Sequence, residues 1–75
     1  MATRLRYTVY DTNARRYLKY AEQPMGTDSE LVTDWTRRAR NAMRFPGVKS
    51  AEAMITKLGR YSNFVVKNDR GEVVA

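Results

Sequence analysis

A chain of 75 residues forms one small domain, 1–75, and buries only roughly 60% of the surface its unfolded form exposes. It has no Cys and no His, which excludes a disulfide framework, a thiol nucleophile, any Ser-His-Asp or Cys-His arrangement and a zinc site of the usual kind. With 14 Lys and Arg against 8 Asp and Glu the net charge is +6, and 43% hydrophobic residues make it a folded rather than a disordered chain.

The N-terminus lacks the apolar core of a signal peptide, and no apolar run is long enough to cross a bilayer. Both point to a cytoplasmic protein with no membrane partner. Leu5, Tyr7 and Val9 alternate with Arg4, Arg6, Thr8 and Tyr10, which predicts a half-buried strand. Residues 11–15 read as a turn, because Asp and Asn bond back to their own backbone. Residues 16–20 then return as a second antiparallel strand, in which Tyr17, Leu18 and Tyr20 can all claim the core.

The next stretch supports two readings. Residues 27–30 have capping-box spacing, and Leu31, Val32, Trp35, Ala39, Ala42 and Met43 share one helical face, so one helix over 28–44 fits the periodicity. Alternatively Leu31-Val32-Thr33 is a short third strand and the helix begins after Asp34 as N-cap. Either helix ends at Phe45-Pro46-Gly47. A second helix starts from Ser50 as N-cap, buries Ala51, Met54, Ile55 and Leu58, and stops at Gly59. Residues 64–67 form a strand, 68–71 a turn with glycine in the left-handed position, and 72–74 a final short strand. The fold class expected is α+β, in the order ββ(β)ααββ, with both helices on one face of a small antiparallel sheet. Phe45, Trp35, Leu58, Ile55, Met54 and Phe64 are its expected core.

Charge is unevenly placed. Residues 21–34 carry Glu22, Asp28, Glu30 and Asp34 and no basic residue, so all 14 Lys and Arg lie elsewhere. The densest basic run is 37–44. On a helix, Arg37, Arg40 and Arg44 would share one side, while Trp35, Ala39, Ala42 and Met43 anchor the other; Arg38 is a fourth arginine of the run that could grip phosphates. Guanidinium forks match phosphate oxygens, so this face suits nucleic acid, a nucleoprotein machine or an acidic protein surface. Arginines on a solvated helix face are the plain structural alternative. The outer face of the sheet offers a second candidate: Arg4, Arg6, Tyr10 and Lys19, which Tyr17, Val65 and Lys67 could join. Aromatic and basic groups interleaved on a sheet are the ingredients of a single-strand platform, though they are also ordinary cross-strand partners. The acidic stretch reads as a solvated capping loop; Asp28-Ser29-Glu30 is too short for a calcium loop, and no EF-hand spacing follows. The glycines stand alone at 26, 47, 59 and 71 and build no phosphate cradle. No enzymatic activity, metal or cofactor is expected.

Tyr7-Thr8-Val9-Tyr10, Arg16-Tyr17-Leu18, Leu31-Val32-Thr33-Asp34, Ala42-Met43-Arg44-Phe45, residues 51–53, Ile55 and Val65-Val66 together resemble a loose group of small proteins encoded by bacteriophages and prophages. The resemblance covers most of the chain and implies strands, a short helix ending Ala-x-x-Phe, a second helix and a strand, with no catalytic motif. It favours the shorter first helix. Some phage proteins of this size and build inhibit host defence, including anti-CRISPR proteins, so the resemblance implies a binding protein acting in the host bacterial cytoplasm. The alternative is an interaction protein that acts through homodimerisation, its charge serving solubility.

Overall fold

A computed structural model describes residues 6–22, 32–59 and 63–75. Strands β1 (Thr8–Asp11), β2 (Arg16–Glu22), β3 (Val32–Thr36) and β4 (Phe64–Lys67) form one antiparallel sheet in the order β3-β2-β1-β4. The helix α1 (Val48–Leu58) packs across β1 and β4.

The hairpin between β1 and β2 is locked by its first residue. Asp11 is buried, and its Oδ1 accepts the backbone N–H groups of Asn13 at 2.9 Å and Ala14 at 3.1 Å. The Arg15 N–H donates to the Asp11 carbonyl at 2.8 Å, which places Arg15 at φ 57, in the left-handed region. Thr12 ties this turn to the start of β4, donating from both N–H and Oγ1 to the Asn63 carbonyl.

A bulge in β2 settles which residues face the core. Leu18 pairs with Trp35 and Tyr20 with Asp34, so Lys19 is the extra residue. A bulge reverses the alternation of faces beyond it. Leu18 and Ala21 therefore share the helix-side face, three residues apart, while Tyr17 and Tyr20 share the outer face. Leu18 is fully buried with Val9, Ala51 and Val66; Phe45 is nearly so.

The pattern ββ(β)ααββ does not form. Among the described residues there is one α-helix, not two, and residues 37–44 contain only a single 3₁₀ turn, Ala39–Asn41. Neither the helix over 28–44 nor the one after Asp34 exists. The third strand does form and runs on to Thr36, taking Trp35 out of the supposed helix. The reason is tertiary. Val32, Thr33 and Thr36 are β-branched and fit a pleated ladder against β2. Further on, backbone groups find strand partners instead of helical ones. The Met43 N–H donates to the Leu18 carbonyl at 2.8 Å, and Phe45 exchanges bonds with Tyr7 at 2.8 and 3.1 Å. Residues 43–45 thus bridge β1 and β2 where the two strands cease to pair, which buries Ala42 and Phe45. The good helix propensity of arginine and alanine loses to these bonds.

Three further expectations shift. Gly47, in extended conformation, occupies the N-cap of α1, three residues before Ser50; Gly59 ends the helix at φ 98 as expected. The final strand reduces to one bridge, Lys67 to Val73, with Val74 and Ala75 bonded to Val66 along the outer edge of β4. Of the expected core, only Phe45 lies in the buried centre. Trp35, Met54, Ile55, Leu58 and Phe64 pack around it, each partly exposed. Arg4 and Leu5 of the first strand, Leu31, and the capping box and acids at 27–30 lie outside the described residues.

Candidate functional site

The β2–β3 register gathers charge that the sequence keeps apart. Tyr17 pairs with Thr36, so the next residues outward, Arg16 and Arg37, stand on neighbouring strand ends. Together with Ala14, Trp35 and Thr36 they line an open groove of about 230 Å³. The Arg16 guanidinium carbon sits 4.8 Å from the centroid of the Trp35 ring. Phe64 stacks on the same indole, nearly parallel at 9° and 5.7 Å between centroids. The indole N–H donates to Thr33 Oγ1 at 3.2 Å, which fixes the ring's orientation.

Arg37, Arg38 and Arg40 continue from the groove along the irregular stretch and the 3₁₀ turn, and all three are exposed. Among the described residues none of them is ion-paired; the one salt bridge joins Lys19 to Asp34 at 3.9 Å. Arg44 differs. It is half-buried, and its Nη2 donates to the Ala39 carbonyl at 3.4 Å, closing the 3₁₀ turn from outside. The one-sided helix face of Arg37, Arg40 and Arg44 is therefore replaced by three exposed guanidiniums, with no ion-pair partner among the described residues, and one structural one.

The outer sheet face also assembles. Tyr10 pairs with Tyr17, their ring centroids 4.7 Å apart and tilted by 59°. Lys67 lays its ammonium 3.7 Å above the Tyr10 ring and 5.4 Å from Tyr17. Arg6 is exposed, and Lys19 is engaged by Asp34. The tyrosine faces are thus already capped by a half-buried cation, which leaves this cluster less open to a stacking ligand than the groove. Beside it the Tyr20 hydroxyl donates to the Glu22 carboxylate, and this bond, with some desolvation and the nearby negative charge, holds the phenol above its ordinary pKa.

The sequence reading missed Arg16 and the role of Trp35, because both depend on β3 reaching Thr36. The turn at 12–15 marks Arg16 as a strand end, but nothing local places Arg37 beside it.

Among the described residues, no three acids come together to hold a metal, and no helix is long and apolar enough to cross a membrane. No family model matches this chain, and no curated protein or solved structure matches it.

Proposed function

We propose that this is a non-catalytic binding protein for nucleic acid, free or within a nucleoprotein machine. Its contact surface is the Arg16–Arg37 groove and the adjoining Arg38 and Arg40. One observation carries the reading: exposed guanidiniums converge on a groove walled by an aromatic ring, with no acid of the described residues neutralising them. Planar forks suit phosphate oxygens, and exposed arginine costs little to desolvate against a phosphate. Inhibition of a host nuclease, the role implied by the resemblance to phage proteins, would use this same surface.

The test is fluorescence anisotropy of a labelled oligonucleotide titrated at several salt concentrations. Affinity should fall linearly on log–log axes, with each single-strand phosphate contact contributing about 0.7 to the slope. The triple variant R37A/R38A/R40A should bind more weakly with a shallower slope. Binding indifferent to salt, or an unchanged triple variant, would remove the arginines from the interface. A purified acidic protein bound in place of oligonucleotides would reassign them to a protein partner.

A second reading is homodimerisation along β3. Tyr20 and Val32 are 46% and 51% exposed on the outer face, and among the described residues the outer edge of β3 has no partner. Sedimentation equilibrium tests it: a dimer of this kind should persist at high salt.

A further inference from the structure

We infer that the Trp35 ring is a stacking site for one unpaired base, which makes the preferred ligand single-stranded nucleic acid rather than duplex. This rests on the nucleic-acid reading above and adds the ligand class. Trp35 is held as a platform should be. One side of the indole lies against Phe64, and its N–H is spent on Thr33, so the ring is fixed and asks nothing polar of a ligand. Its remaining approach is the groove, where a planar cation, Arg16, already lies over the ring at 4.8 Å. Arg16 is an exposed side chain, and an exposed cation–π contact is weak beside base–aromatic stacking. A base therefore takes the place of the guanidinium, which swings onto a phosphate. Arg37, which lines the same groove, meets the phosphate on the other side of that nucleotide. Ala14, whose backbone N–H is held by Asp11, adds only a methyl group to the lining.

The requirement for a single strand follows from geometry. In a duplex the base faces are covered by their neighbours, and only an unstacked base can lie flat on a ring. The outer-face tyrosines do not compete for the role, because Lys67 sits 3.7 Å over Tyr10 and is itself half-buried.

The chain contains one tryptophan, so its fluorescence reports on this ring alone. The probe is an oligothymidylate of about ten nucleotides, within the site size of single-strand grooves, compared with a blunt-ended two-strand duplex of equal charge and with oligoglutamate. Oligothymidylate should quench Trp35 on binding; the duplex and oligoglutamate should not. Trp35→Leu, which keeps an apolar contact for Phe64, should lower oligothymidylate affinity measured by anisotropy about five- to hundredfold. Circular dichroism controls for folding, and the wild-type quench stands even if the variant unfolds. Binding of oligothymidylate without quenching overturns the stacking site and leaves the phosphate-binding reading intact. No binding of either nucleic acid overturns both. Equal quenching by oligoglutamate overturns the base-stacking site and points to an acidic protein.

Discussion

The two halves of the sheet differ in what covers them. Under α1, β1 and β4 bury Val9 and Val66 completely against Ala51. At the other side no residue of β3 is fully buried, and Trp35 is shared between the core and the groove. A helix of 11 residues packs across two strands and leaves the rest of a four-stranded sheet to other segments. Among the described residues, 43–45 take up part of that role, bridging β1 and β2 and burying Phe45. The lesson is that the site lies where coverage runs out. Complete burial reaches Leu18 of β2 and stops there; exposed charge and an accessible ring lie beyond it, at β3.

That contrast can be broken most directly at Phe45. Phe45→Ala removes a nearly buried ring from the point where β1, β2 and the 43–45 segment meet, and should cost about 3–5 kcal/mol. In a domain this small that is most of the stability. Trp35→Ala should cost clearly less, since part of its ring is already in water. Urea denaturation compares them; equal losses would mean that the β3 edge is as tightly packed as the buried centre around Phe45.

Asp11 sharpens the comparison next, because its turn serves both halves. Asp11→Ala strips two hydrogen bonds from the Asn13 and Ala14 N–H groups and should cost about 1–2 kcal/mol. For a domain this size that is a fall in Tm of about 4–8 °C per kcal/mol. A Tm within error of wild type would show that the turn holds itself without the carboxylate.

Smaller still is the stability effect of Arg37→Ala, Arg38→Ala and Arg40→Ala, each about 0.5 kcal/mol or less on an exposed surface. Arg44→Ala should exceed them, because it takes a second donor from the Ala39 carbonyl, leaving only the Ala42 N–H, and removes a half-buried stem. If all four melt alike, Arg44 has no structural role beyond that of the other three.

The faintest effect is at Tyr20. Its phenol is raised above the ordinary value chiefly by the bond to Glu22, so the folded state holds the proton more tightly than the unfolded chain. That contribution is complete below the unfolded tyrosine pKa, about 10, and fades as pH rises through the folded value. Glu22→Gln should move the Tyr20 titration, followed by ultraviolet absorbance, back toward ordinary tyrosine. An unshifted curve would show that the carboxylate is not the cause.

Several elements are legible from residue order alone. The alternation at Tyr7 and Val9, the Asp-Asn turn, the apolar stripe of Ala51, Met54, Ile55 and Leu58, the stop at Gly59 and the strand at 64–67 all depend on neighbours within one turn or one ladder step. Local sterics and short-range hydrogen bonds decide such features, so they are written locally. The same holds for the count of arginines at 37–44 and for the absence of acids within that run.

What tertiary structure decided is the conformation of those arginines and the company they keep. A 3.6-residue apolar period at 31–43 describes a helix that would have to leave β2 without its third-strand partner and Leu18 without Met43. Long-range backbone bonds reward the extended form instead, and no local pattern records them. The bulge at Lys19 likewise reverses the faces of β2, which is why Tyr17, Leu18 and Tyr20 cannot be sorted by alternation. Arg16 meets Trp35 and Arg37 only because β2 and β3 pair in this register, 19 and 21 positions apart along the chain. Basic charge is a property of composition; a groove with a ring in its wall is a property of pairing between distant segments, and only the folded chain supplies it.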